Sequence, residues 1–259
     1  MLNNPVKEKV SRGEPSFGVA IAWPAPDLVE FCGYLGFEWA FIDAEHGTIG
    51  RESCEAMVRA CTLGGMVPVV RVPEINAATI LGYLETGALG IIVPHVNSAA
   101  EARAAIRAIR YAPLGTRGAG SGTRAARYGL TQTASEYFAH ANETILVQLL
   151  VEEIEGIRNL DEILAVPGVD VVGIGPGDLS MSMGFPGQPS HPDVQAAVLE
   201  AEARIVASGL ALDAVVRDVA GALEVMQRGA TMIAVSAATL WGNAGRAFLT
   251  EVKKEVGRG

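Results

Sequence analysis

Leu146-Val147-Gln148-Leu149-Leu150-Val151-Glu152 and Val171-Val172-Gly173-Ile174-Gly175-Pro176-Gly177-Asp178 are two apolar runs, and each gives way to a turn at a carboxylate. Runs of this length and β-branched content read as buried parallel strands. If they are neighbours in one parallel sheet, Glu152 and Asp178 both emerge at its carboxyl edge, where α/β proteins place ligands. Two anions held side by side raise one another's pKa unless a cation joins them, and a hard divalent ion is the simplest partner for carboxylate oxygens.

Working outward, the same pattern fills the chain. Strand-like runs fall at Gly18–Ala22, Trp39–Ile42, Val67–Val72, Gly90–Val96, Ile145–Val151, Val171–Ile174, Ala211–Val216 and Met232–Val235. Segments with apolar residues three or four apart lie between and after them: Asp27–Leu35, Glu52–Leu63, Ala77–Glu85, Ala99–Arg110, Ile157–Ala165, Pro192–Ser208, Val219–Arg228 and Ala237–Val256. Eight such pairs predict an α/β fold, a (β/α)8 TIM barrel forming a single domain over residues 1–259; a doubly wound open sheet is the competing architecture. One excursion interrupts the rhythm at about 110–142, a Gly- and Arg-rich insertion with a short helix over Ala134–Ala141. Its length suggests a functional loop or lid. Arg117, Arg124 and Arg127 within it are candidates to dock acidic substrate groups, to meet a neighbouring subunit or to pin the loop internally.

The chain has 259 residues, enough to bury roughly three quarters of its unfolded surface in one core. Its net charge of −9 and scattered basic residues argue against a nucleic-acid surface. Cys32, Cys54 and Cys61 are odd in number and lack metal-ligand spacing, so they read as buried free thiols of a reducing compartment. The start lacks the apolar core of a secretory signal and no run is long enough to span a membrane, which makes the cytoplasm the default expectation.

Reading off the strand ends assembles the candidate site. His46, in Asp43-Ala44-Glu45-His46-Gly47 after the second strand, is the best proton-transfer base, with Asp43 or Glu45 to fix its tautomer. Arg71 closes the third strand and could hold a carboxylate or a developing oxyanion, or could instead form a rim ion pair with Asp43 or Glu45. The Gly177 and Asp178 amides form a small nest for a carboxylate. His95 ends strand four and could line the pocket, whereas His140 and His191 sit in loop-like contexts and read as solvated. Trp23 and Trp241 stand near barrel ends and carry no chemistry.

Taken together these stretches resemble the HpcH/HpaI aldolase family of class II, metal-dependent pyruvate aldolases. The likeness runs from Phe17 to about Phe248 and is carried by FIDAEHG at 41–47, VVRVPE at 69–74, GALGIIVPHV at 87–96, the Arg110–Gly129 loop, VEEIEGIRNLDEI at 151–163 and GVDVVGIGPGDLSMSMG at 168–184. The resemblance implies that Glu152 and Asp178 ligate Mg2+, Mn2+ or Co2+, and that Arg71 contacts the keto or enolate oxygen. It further implies that the amides of Gly177 and Asp178 hold the substrate carboxylate and that His46 moves the proton. It matches Glu85 to a carboxylate that pairs with this histidine; Glu85 precedes strand four, at the wrong end of its own barrel, so a neighbouring subunit would have to supply it. An obligate homo-oligomer, a trimer or hexamer, follows from that. Two positions depart from the family pattern: Leu150 stands where Gln is frequent, leaving Gln148 as the nearest substrate-facing amide, and Asp213 puts a charge in a strand that usually runs small and apolar.

The implied reaction is reversible cleavage of a 4-hydroxy-2-oxo acid to pyruvate and an aldehyde. The rivals are a CoA-thioester lyase of the citrate lyase β type and a non-catalytic barrel that binds a metal and a keto acid. The four lysines, Lys7, Lys9, Lys253 and Lys254, are all terminal, which argues against Schiff-base chemistry.

Overall fold

The computed structural model describes residues 3–257, so the outermost two residues at each end of the expected 1–259 domain lie outside it. Eight parallel strands close on themselves: β1 (Ser16–Ile21), β2 (Trp39–Asp43), β3 (Val67–Arg71), β4 (Gly90–Val93), β5 (Leu146–Val151), β6 (Val171–Ile174), β7 (Ala211–Val216) and β8 (Ala230–Ser236). Pairing of β1 with β8, Gly18 beside Ala234, excludes the open doubly wound sheet.

Period-two alternation divides each strand between two cores. One phase, including Trp39, Phe41, Val67, Val69, Ile92, Leu146, Leu150, Val171 and Met232, fills the barrel interior. The other phase packs outward, where Val70, Ile91, Val147, Leu149 and Val172 meet the surrounding helices. Trp39 can fill the axis because β1 carries Gly18 opposite it: a Cβ there would stand 2.2 Å from the indole.

An N-terminal helix unforeseen in the pattern, Pro5–Ser11, sets Val6 and Val10 one turn apart and seals the amino end of the barrel. Asn4 caps it by accepting from Lys7 N–H, and its Nδ2 donates to the carbonyls of Leu89 and Thr144, tying the helix to the barrel base. The expected helix over Ile157–Ala165 is two short helices, Ile154–Arg158 and Leu160–Leu164, hinged at Asn159, whose side chain donates instead to the carbonyl of Asn97. The fourth strand ends at Val93 rather than Val96, because Pro94 has no N–H for the ladder and His95 turns to φ +54°.

The excursion at 110–142 is not a lid over the carboxyl rim. It leaves helix Ala99–Ile109 and enters β5, so it belongs to the amino end of the barrel, opposite the strand ends. Arg117 donates to Glu85 Oε1 at 2.9 Å and its guanidinium lies 4.4 Å from the Tyr111 ring centroid; Arg124 donates to the Thr86 carbonyl at 2.6 Å. Internal pinning is therefore the role the structure gives these two arginines. The short helix runs over Ala134–Thr144, with a capping box between Thr133 and Glu136.

Candidate active site

Register places Asp43 beside Arg71 at the ends of β2 and β3. Arg71 donates from Nε to Asp43 Oδ1 at 3.0 Å and from Nη2 to Oδ2 at 2.6 Å, a two-point fork that fixes the guanidinium plane. Asp43 Oδ1 also accepts the backbone N–H groups of Glu45 and His46, each at 3.2 Å, so the same carboxylate folds the following loop over the rim. Glu45 flanks the pair, 3.1 Å from Arg71 Nη1 and 3.1 Å from His95 Nε2.

These contacts correct the expected partner of His46. Both oxygens of Asp43 are engaged by Arg71, and Glu45 faces Arg71 and His95; the His46 ring instead turns to the half-exposed mouth, its Nε2 3.8 Å from Asp178 Oδ2. The rim ion pair foreseen for Arg71 as an alternative is present, and Arg71 still lines the cavity.

Glu152 is the most buried carboxylate of the rim. His95 N–H donates to its Oε1 at 2.9 Å, an arrangement that depends on the left-handed backbone of His95, which is uncommon outside glycine. Gly175 lets the carboxylate sit flush against β6: a Cβ there would fall 2.6 Å from Oε2. Burial pushes the Glu152 carboxyl up to about 7, helped by Glu45, while the His95 N–H, His95 and Arg71 pull the other way. Glu45, His95 and Glu152 together bring three ligand atoms within 4.8 Å of one another. A cavity of about 430 Å³ reaches Glu152 of this group, and Asp43, Arg71 and Asp178 line it as well. Three carboxylates, those of Asp43, Glu45 and Glu152, stand around the Arg71 guanidinium, with Asp178 on the same cavity wall, and a buried anion with a raised pKa is what a hard divalent cation would neutralise. The donor set therefore fits such an ion. Sequence reasoning centred the metal on Glu152 and Asp178; the tight group in the structure is Glu152 with Glu45 and His95. What hid this grouping was the turn after Val93, where His95 takes φ +54° and its ring comes to Glu45 and Glu152.

Gly177 and Asp178 are the second and third residues of a short helix, Pro176–Ser182, missed in the sequence. Their N–H groups belong to its first turn, where none has an intrahelical partner, so the expected nest is a helix start.

The floor of the cavity is polar. Gln148 and Asp213 point into the barrel from β5 and β7, both buried, with the Gln148 amide oxygen and nitrogen and Asp213 Oδ1 all lacking hydrogen-bond partners. Burial pushes the Asp213 carboxyl up to about 7; the Gln148 amide and Arg71 oppose this by favouring the charged form, although Gln148 does not close a well-formed hydrogen bond to it. β8 carries an extra residue, Thr231, opposite the Leu212–Asp213 step, an irregularity of the kind that re-aims a side chain beside a site.

Glu85 ends helix Ala77–Leu84 at the amino side of the barrel, bound to Arg117, and does not line the cavity. His191 caps helix Pro192–Ser208 and stacks on Phe185 at 3.7 Å, and His140 lies within the Ala134–Thr144 helix, half-buried; the two are more ordered than the solvated loops expected for them. Trp23 and Trp241 face one apolar cavity between helices Pro26–Tyr34 and Ala237–Val256. The three cysteines are free and buried, and burial raises each thiol pKa, that of Cys54 to about 11, which removes them from nucleophilic duty.

This geometry has known counterparts. The chain is 38% identical over 237 residues to a hydroxypyruvate/pyruvate aldolase of Pseudomonas aeruginosa, covering 91% of this chain and 87% of the relative. It is 36% identical over 241 residues to a 2-keto-3-deoxy-L-rhamnonate aldolase of Klebsiella pneumoniae, covering 93% and 89% of the two chains. The crystal structure of an HpcH/HpaI aldolase/citrate lyase family protein from Burkholderia cenocepacia superposes with a TM-score of 0.92 at 30% identity, over 97% of this chain and all of that one. Residues 19–240 match the sequence profile described as HpcH/HpaI aldolase/citrate lyase. With the barrel, the acidic rim and these likenesses in agreement, the chain belongs to the HpcH/HpaI aldolase/citrate lyase family and is an aldolase, a carbon–carbon lyase.

Proposed function

We propose that this aldolase reversibly cleaves a 4-hydroxy-2-oxo acid to pyruvate and an aldehyde with a divalent cation, Mg2+, Mn2+ or Co2+, held at Glu152 and Asp178. The observation that carries the reading is a buried carboxylate, Glu152, with its pKa pushed up to about 7 at the bottom of an acidic rim. Glu45 and His95 stand close enough to Glu152 to support the same ion. When bound, the cation supplies Lewis-acid polarisation of the 2-oxo group.

The protein's own groups do the rest. Arg71, locked in orientation by Asp43, has N–H donors to spare and aims them at the oxygen on which charge develops as the C3–C4 bond breaks. The free amides at the start of helix Pro176–Ser182 receive the substrate carboxylate. His46, at the mouth, takes the C4 hydroxyl proton as the aldehyde forms, and the electron pair of the broken bond becomes an enolate that is protonated at C3 to give pyruvate.

Pyruvate release from a panel of 4-hydroxy-2-oxo acids, measured with added Mn2+ and again in excess EDTA, tests this. Turnover that EDTA abolishes and Glu152→Gln removes supports the reading; full turnover in EDTA overturns it.

The assembly we propose is a homo-oligomer, a trimer or hexamer. Glu85 is remote from its own His46, and the Ala237–Val256 helix leaves Leu240, Trp241, Phe248 and Leu249 exposed. Light scattering that reports a monomer at micromolar concentration would refute it.

A further inference from the structure

Arg71 on β3 and Glu152 after β5 both line the cavity, whereas Glu45 and His95 stand beside them without lining it. His95, just past the end of β4, reaches the supports of both. It follows Pro94 in a left-handed conformation, uncommon for a residue that carries a Cβ, and such conformations persist only where the surroundings over-determine them. Val96 N–H donates to the Leu150 carbonyl at 3.1 Å, which pins the turn against the end of β5. The His95 N–H is thereby aimed at Glu152 Oε1, at 2.9 Å. Its ring lies among carboxylates, with Nε2 3.1 Å from Glu45 Oε1 and Nδ1 3.2 Å from Glu153 Oε1. Glu45 lies beyond the end of β2, so no strand ladder fixes it, yet its side chain is nearly buried and stands 3.1 Å from Arg71 Nη1. Four successive strand ends, β2 to β5, are thus joined by one chain of polar contacts from Arg71 through Glu45 and His95 to Glu152.

We infer that His95 is a positioning residue acting in two directions: its main-chain N–H sets the Glu152 carboxylate for the cation, and its ring holds Glu45 against Arg71. This rests on the metal-dependent aldolase reading above and deepens it. The two directions use different parts of one residue, so they separate on substitution. The N–H depends only on the left-handed backbone, which glycine adopts freely and a β-branched residue does not. The ring depends only on the side chain. Without it, Glu45 keeps a single contact, to a guanidinium that Asp43 already engages at two points, and is free to swing from the rim. Groups that orient a metal-holding or charge-stabilising side chain in this way carry a large part of a site's affinity or rate although they touch neither ion nor substrate.

The test uses the full-length protein and two readouts: Mn2+ binding without substrate, followed by the electron paramagnetic resonance of the free ion, and pyruvate release at saturating Mn2+. His95→Val, which drives the backbone out of the left-handed region, should raise the Kd for Mn2+ by ~10–100-fold. His95→Gly, which keeps the N–H and removes the ring, should hold that Kd within about threefold of wild type while kcat falls ~10–100-fold at little-changed KM. His95→Gln, whose side-chain amide reaches about as far as Nε2, should recover most of that kcat. Should His95→Val not fold, the Gly and Gln variants still decide. An unchanged Kd in a folded His95→Val, an unchanged kcat in His95→Gly, or no recovery in His95→Gln would overturn the inference. A loss of Mn2+ binding in His95→Gly as large as that in Glu152→Gln would also overturn it, since the ring would then be a ligand. Two levels stay distinct. A wild-type protein that binds Mn2+ and loses it in Glu152→Gln, with all three His95 variants unaffected, sinks only the role of His95. A wild-type protein that binds no Mn2+ sinks the metal-dependent reading, and the inference with it.

Discussion

Arg71 shows how much of a site can hang on one carboxylate. Asp43 holds it by two bonds and also holds the loop that carries His46, so replacing Arg71 disturbs more than one donor. Lysine keeps the charge but lacks the planar fork. We expect Arg71→Lys to lower kcat by ~10²–10³-fold, as loss of a preorganised oxyanion donor does, with steady-state kinetics as the measure; a change under threefold would show that charge alone suffices. Asp213 makes a second prediction, on stability. Its folded pKa of about 7 lies above the ordinary 3.8, so between those values the folded chain keeps a proton that the unfolded chain has released. The stability this group contributes is fully present below about pH 4 and declines as pH rises toward and through 7, by up to ~1.4 kcal/mol per pH unit. Denaturant titrations from pH 5 to 8 should find a shallower decline in Asp213→Asn than in the wild type; identical slopes would refute the assignment.

At the level of elements, the eight strands were legible because each is a short apolar run set between turn residues, and β2, β3, β5, β6 and β7 fall within a residue of their expected bounds. Helices Pro5–Ser11 and Pro176–Ser182 were not legible, since seven residues give too few turns for a periodicity, and proline in the first turn reads equally as a loop. In the site, Arg71, Glu152 and Asp178 could be placed from strand ends alone. The grouping of Glu45 and His95 with Glu152 could not, because it depends on a left-handed residue after Pro94 that no spacing announces. The excursion at 110–142 misled for a topological reason: its glycines and arginines suggest ligand chemistry, but a segment joining a helix to the next strand must lie at the amino end. Its anchor gives a prediction on its own scale. Arg117→Ala removes a fully buried guanidinium from Glu85 and the Tyr111 ring, and should cost ~3–5 kcal/mol. A thermal midpoint lowered by roughly 6–20 °C would register this; an unchanged midpoint would mean that the loop is held elsewhere.

For the molecule as a whole, the cation proposed above would couple its own binding to folding. The rim gathers like charges that repel in the absence of a cation, so an ion bound by the folded chain alone should stabilise it by about 2.7 kcal/mol at a hundredfold excess over Kd. Calorimetry with and without Mn2+ should show a midpoint rise of roughly 5–11 °C that Glu152→Gln loses; the same rise in the variant would place the ion at another site. Among the described residues no helix is long and apolar enough to cross a membrane.

The plug at the barrel base has a practical corollary. Lys7 and Lys9 lie on that helix, Lys7 against Asp170 and Lys9 against Glu38, at the face remote from the mouth. Lys253 and Lys254 sit in the final turn of the last helix, about 25 Å along from where it leaves β8 at 1.5 Å per residue. Amine-directed coupling to a bead or electrode would grip the molecule by its ends and leave the catalytic opening turned toward the bulk, so immobilised enzyme should work without an engineered tag.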